Sequence, residues 1–230
     1  MRSRIPQLES GDRLQRHEFE RRYMARSDQV IAELIDGIVY LSSSFPANQA
    51  VTTSDVAGWI GSYRANTNGV KAALHATLRM DSTNEPQPDA MLYIDLDRST
   101  RMRLSEDGYL EGIPEFIAEV AASSVSKDVG PKLRMYARNG VQEYFVWRVE
   151  DEAIDWFTLQ NGNYVPIIVD SDGIIRSRVF PGLWLDVAAM LDRNLARVLT
   201  ILNQGIATAE HAEFVGKLEA MPRVDPHSPR

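Results

Sequence analysis

The chain has 230 residues, 44% hydrophobic and 25% charged, with no cysteine and a net charge of −7. That length predicts one domain whose core holds without staples, and the missing cysteines exclude disulfides, thiolate metal sites and thiol nucleophiles. The acidic balance argues against a protein that coats nucleic acid non-specifically, but leaves room for a local basic groove. No apolar run approaches the roughly 18 residues of a membrane span. The start, MRSRIPQLESGDRLQRHEFERR, has no apolar h-region, so no secretory signal is expected. The expectation is a cytoplasmic protein with no membrane contact. Residues 1–26 hold seven Arg against four acids, which reads as a solvated basic arm.

In chain order, residues 12–25 suit a short helix. Apolar runs at 30–34 and 38–41 flank Ile35-Asp36-Gly37, and a DG pair in that setting signals a β-hairpin. Residues 48–64 read as a helix, with Val51, Val56, Trp59, Ile60 and Tyr63 near a 3.6-residue period. Residues 71–80 read as a strand, followed by a polar turn. Pro88-Asp89 opens a second strand at 90–94, and the charged stretch 95–112 reads as a loop. Residues 114–121 form a buried-looking strand that carries Glu119. A helix follows at 129–138, with Pro131 in its first turn and Gly140 as the residue past its end.

Three strands are expected next, at 142–148, 153–159 and 164–169. The aromatic residues Tyr144, Phe145, Trp147, Trp156 and Phe157 on them suit a sheet core better than a base-stacking platform. An apolar stretch at 179–185 leads to a helical region over 186–219. Its Leu191, Leu195, Val198, Leu199 and Leu202 either close the core or form a dimer contact. The last ten residues read as a disordered tail. The order predicts one mixed α/β domain over 1–220, with strands 88–94, 115–121 and 142–148 central and helices 48–64 and 129–139 flanking them. The strand–helix–strand order after Glu119 predicts a crossover between parallel neighbours. No Gly-rich phosphate loop is present.

Two carboxylates stand out. Asp89 follows a proline at a strand start, and Glu119 sits among Phe116, Ile117, Ala118, Val120 and Ala121. A buried carboxylate is costly unless it is paired or metal-bound. Strand alternation puts Glu119 on one face with Ile117 and Ala121. The stretch 127–138 is locally basic, with Lys127, Lys132, Arg134 and Arg138. Asp128 and Lys132 are spaced for a helical ion pair, and Asp128 is equally an N-cap candidate. The functional alternative places Lys132 beside Asp89 and Glu119. Two carboxylates suit Mg²⁺, or Mn²⁺, which keeps several waters, and a lysine there would orient water and stabilise phosphate charge. The histidines offer no metal-spaced pair and no nucleophile triad; His75 reads as a strand residue facing a neighbour. Glu143 reads as a structural partner.

Pro88-Asp89, Glu119-Val120, Asp128-x-x-x-Lys132-x-x-x-Tyr136 and Gly140-Val141-Gln142-Glu143-Tyr144 together resemble the PD-(D/E)XK nuclease superfamily. More narrowly they resemble its bacterial "putative restriction endonuclease" family, over roughly residues 18–195. Glu33-Leu34-Ile35-Asp36-Gly37 is similar to that family's start, and Phe180-Pro181-Gly182-Leu183 to its close. The resemblance implies a restriction-endonuclease-like core and a Mg²⁺-dependent endonuclease acting on DNA, with a homodimer serving duplex cleavage. Asp89 and Glu119, joined by Glu33, would be metal ligands, and Lys132 would complete the catalytic set. Arg134, Arg138, Arg98 and Arg101, with Arg103, would contact nucleic acid. The superfamily's usual lysine lies two residues after the glutamate, where this chain has Ala121; Lys132 on the next helix matches the narrower family. Ala122-Ser123-Ser124 replaces a common Ser-Pro, and Asn48 or a neighbour stands in place of a common His. A degenerate, binding-only member is the competing class.

Overall fold

The computed structural model describes residues 5–28, 30–42, 46–122 and 125–227, the side chain of Val125 excepted. The first residues of the basic arm, the serines at 123–124 and the last three residues of the tail lie outside the described residues.

Asp36 and Gly37 both adopt positive φ, 53° and 73°, as a two-residue hairpin turn requires. They join β1 (Ile31–Ile35) to β2 (Ile38–Ser42) in antiparallel register. Helix α1, Arg16–Met24, is shorter than the expected 12–25. It buries Phe19 against Leu8, Ala32, Leu34 and Val39 to make a small core of its own.

Helix α2 (Ala47–Ala65) lies on one face of a six-stranded sheet. The expected strand 71–80 is broken into β3 (Val70–Leu74) and β4 (Leu78–Arg79), because His75 takes φ 49° and turns the chain out of the sheet. β5 is Ala90–Ile94. The stretch 95–112 is not all loop. It contains the short strands β6 (Met102–Leu104) and β7 (Leu110–Gly112), paired with Arg103 opposite Glu111. Each has only three residues and a charged centre, so no alternation marks them.

Strand β8 (Phe116–Ala121) is central, antiparallel to β5 and parallel to β9 (Glu143–Arg148). The crossover joining β8 to β9 runs through α3 (Val125–Lys127), a π-helical turn (Asp128–Lys132) and α4 (Leu133–Asn139). Pro131 therefore stands inside the helical run, not in its first turn. Its ring cannot fit the α-helical ladder, and a wider π turn accommodates it. Gly140 ends the run at φ 84°, as a left-handed residue should. β10 (Ala153–Gln160) and β11 (Asn163–Pro166) complete the order β11-β10-β9-β8-β5-β3.

The helical region over 186–219 is interrupted. After β12 (Ile174–Arg176) and β13 (Trp184–Asp186) come α5 (Val187–Leu191), α6 (Leu195–Ile206) and α7 (Ala209–Ala220). Each starts on a side-chain cap: Asp186, Asn194 and Thr208 accept from the backbone N–H groups of Ala189, Arg197 and His211. These helices close the core over α2, where Trp59 and Tyr63 donate to the carbonyls of Trp184 and Pro181. The described part of the tail is held by backbone bonds, Val224 N–H to Asp97 and Leu104 N–H to Pro226.

Alternation along β8 divides the interior. Phe116, Ala118 and Val120 join α2, Phe145, Trp147 and Trp156 in one core. Ile117 and Ala121 pack with Met135, Tyr136 and Tyr144 in the other. Glu119 belongs to that second face.

Candidate active site

The register of the sheet brings the site together. β5 and β8 pair with Ala90 opposite Ala118, so one step further sets Asp89 opposite Glu119. β3 and β5 pair with Leu74 opposite Ala90, which sets His75 opposite Asp89. A row of three side chains thus crosses three neighbouring strands. Asp89 Oδ2 accepts the Val120 N–H at 2.7 Å, and the His75 Nδ1 lies 3.5 Å from Asp89 Oδ1.

The π turn delivers a lysine onto this row. Lys132 Nζ donates to Glu119 Oε1 at 2.7 Å and lies 2.8 Å from Glu33 Oε1 and 3.6 Å from Asp128 Oδ1. Tyr136, one helical turn on, donates to the same Glu119 oxygen at 2.9 Å. Tyr144 donates to the Asp128 carbonyl. Asp128 and Lys132 thus form the i,i+4 pair rather than an N-cap. Glu33, Asp89, Glu119, Asp128 and Lys132 are all at least 95% buried.

Burial raises the pKa of Glu119 to about 8; Lys132 opposes this, while the Asp128, Asp89 and Glu33 carboxylates add to it. Asp89 is also raised, by burial first, against the pull of the Val120 N–H and Lys132. Burial alone would lower Lys132, but Glu119, Glu33 and Asp128 outweigh it and hold the ammonium charged well above its ordinary range. Glu33 differs from the other two carboxylates. Burial works to raise it, and the Lys132 and Lys127 ammoniums overcome that and bring it down.

The donor set fits a hard divalent cation. Glu119 keeps one oxygen outside its bonds to Lys132 and Tyr136, and Asp89 keeps one outside its bond to Val120. Burial comes first among the causes that raise both groups and disfavours their charged forms, a cost that a bound cation would offset. Two carboxylate oxygens plus water is the ligand set Mg²⁺ accepts. Among the described residues no group of three or more His, Cys, Asp and Glu is placed to enclose a metal. Glu33, expected as a third ligand, has both oxygens engaged by the protein: Oε1 accepts the Gln87 N–H and faces Lys132, and Oε2 accepts from Lys127.

The expected arginines are dispersed. Lys132 is buried, so it is not part of a surface strip. Arg134 is exposed and, two residues on, lies about 200° round the helix. Arg138 pairs with Asp36 of the hairpin turn. Arg101 donates to the Ile113 and Gly140 carbonyls, which turns it into the fold. Arg98 is mostly covered beside Asp97, and Arg103 pairs with Glu111. Two further residues stand near the site. Gln49 donates from Nε2 to the Val120 carbonyl at 3.0 Å, on the same residue whose N–H Asp89 accepts. His75 stands at the strand break. Neither carries a sequence signal beyond the polar start of a helix and a histidine within an apolar run.

The strand order of the six-stranded sheet, its parallel pair β8–β9 and the helical run that crosses between them make a mixed α/β fold of the nuclease type. A solved structure of "a putative nuclease belonging to DUF820 from Anabaena variabilis ATCC 29413" is similar in fold, with a TM-score of 0.57 and 13% identity, over 75% of this chain and 96% of that chain. The family model "Uma2: Putative restriction endonuclease" matches residues 16–188, and the chain belongs to that family. No curated protein matches it significantly.

Proposed function

We propose that this chain is a Mg²⁺-dependent endonuclease that hydrolyses phosphodiester bonds in DNA. The carrying observation is the buried meeting of Asp89, Glu119 and Lys132, with one oxygen of each carboxylate outside the hydrogen bonds made among the described residues. Asp89 and Glu119 would hold the ion. Mg²⁺ bound there supplies Lewis-acid polarisation of a phosphoryl oxygen and acidification of a water. Lys132 stays protonated, so it acts as a donor and not as a base. It orients the attacking water and stabilises the charge that builds on the phosphate. The water oxygen bonds to phosphorus and gives up a proton to solvent, the P–O3′ bond breaks, and the 3′ oxygen leaves and takes up a proton from solvent. Cutting both strands of a duplex calls for two copies of the chain acting together.

The test is cleavage of supercoiled plasmid and of single-stranded DNA, with Mg²⁺, with Mn²⁺ and with chelator. Asp89→Asn and Glu119→Gln should lose metal binding and cleavage together. Lys132→Ala should bind metal and cut more slowly by roughly the 10²–10³-fold that follows loss of a charge-stabilising donor. Equal cleavage by the wild type and all three variants would place the activity elsewhere. DNA binding without cleavage under any condition would favour a binding-only protein.

A further inference from the structure

Glu33 is brought below its ordinary range, whereas Asp89 and Glu119 are raised. Among the described residues its partners are two ammoniums and one backbone N–H. Lys127 lies at the outer end of this arrangement. Its Nζ sits 2.7 Å from Glu33 Oε2, and its side chain keeps 17% of its surface exposed, whereas Lys132 keeps 3%. An ammonium has three donors, and among the described residues Lys127 spends one, on Glu33.

Glu33 is shared between two lysines, one buried on Glu119 and beside Asp128, the other reaching solvent. A polyanion approaching the buried carboxylates meets two acidic groups, Asp89 and Glu119, so a cation at the mouth is needed to offset them. The dispersed arginines do not supply it. Resting on the nuclease reading above, we propose that Lys127 binds a backbone phosphate of the nucleic acid, and that Glu33 is a positioning residue that holds Lys127 and Lys132 apart at fixed places, not a metal ligand.

Two measurements separate this from the proposed hydrolysis. The first is binding of a labelled DNA oligonucleotide by anisotropy in EDTA across a salt series, which needs no metal and no turnover. Lys127→Ala, and Lys127→Gln as a bulkier replacement, should weaken binding and lower the slope of log K against log salt by about one, the signature of one lost phosphate contact. The second is Mn²⁺ binding by calorimetry. Glu33→Gln should keep wild-type Mn²⁺ affinity while Asp89→Asn loses it. In cleavage, Glu33→Gln should lower kcat more than it raises KM, and Glu33→Asp should restore part of the rate. A wild-type salt slope in both Lys127 variants overturns the phosphate assignment. Loss of Mn²⁺ affinity in Glu33→Gln equal to that in Asp89→Asn makes Glu33 a ligand and overturns the bracket. If no protein cleaves but the slope difference stands, hydrolysis fails and the phosphate site holds.

Discussion

Lys132→Met tests the cluster as a piece of electrostatics. Lys132 is 2% exposed and lies within 2.8 Å of oxygens from two carboxylates. Methionine fills similar space and removes the charge, so the loss is mainly that of compensation. Stranding a buried partner typically costs about 3–5 kcal/mol, which for a domain of this size is a fall in Tm of roughly 6–20 °C. The carboxylates can escape part of this by protonating. Lys132 is among the forces that lower both Glu119 and Glu33, so its removal raises both. A carboxyl whose folded-state pKa exceeds the unfolded one makes the folded state bind the extra proton, and stability then declines as pH rises between the two values. The Tm deficit should therefore be larger at pH 8.5 than at pH 6, measured by calorimetry without metal. The double variant Lys132→Met/Glu119→Gln should recover part of the loss at the higher pH. A deficit of equal size at both pH values, or no deficit, would refute this account.

Three further outcomes follow from other contacts. Glu143 is fully buried and accepts from Ser177, Arg178 N–H and Trp156; burial pushes it up to about 7, against those bonds. Its raised value makes it erode stability as pH climbs from about 4.5 to about 7. Glu143→Gln, which retains an acceptor, should flatten the Tm profile across that range; an unchanged profile would contradict the assignment. Gly205 of α6 packs against the turn at Gly182, where an added Cβ would press on the Gly182 carbonyl and the Trp184 ring. Gly205→Ala should destabilise by about 1–3 kcal/mol, read as a lower urea midpoint with an unchanged m-value. His75 holds a left-handed backbone at the end of the carboxylate row. Strain of that kind gathers at functional sites, so His75→Gly should hold or raise Tm while weakening Mn²⁺ binding; equal Mn²⁺ affinity would detach His75 from the site.

Much of this arrangement is written locally. Asp36-Gly37 dictates the hairpin, and strand–helix–strand spacing after Glu119 dictates the parallel pair. The period-two pattern correctly sets Glu119 on the face of Ile117 and Ala121. What escapes a local reading depends on partners distant in the chain. The identity of the Lys132 partners rests on the β1 hairpin meeting the crossover helix, and the roles of both Glu33 oxygens appear only there. The break at His75 runs against its apolar neighbours, so propensity points the wrong way. The interruptions of the last helical region were more legible: Asp186, Asn194 and Thr208 are all residue types that cap helices, and an unbroken apolar period masked them. Pro131 was a visible signal placed in the wrong turn, because the helix starts before it.

Ala121 closes the strand to a second cation. It is fully buried beside Met135 and Tyr136 of the helical run that carries Lys132. Ala121→Lys would force a long cation among methionine and tyrosine side chains and push away the helix that presents Lys132. The ammonium therefore has one place to stand, on the helix, and no single substitution on this strand position can stand in for it.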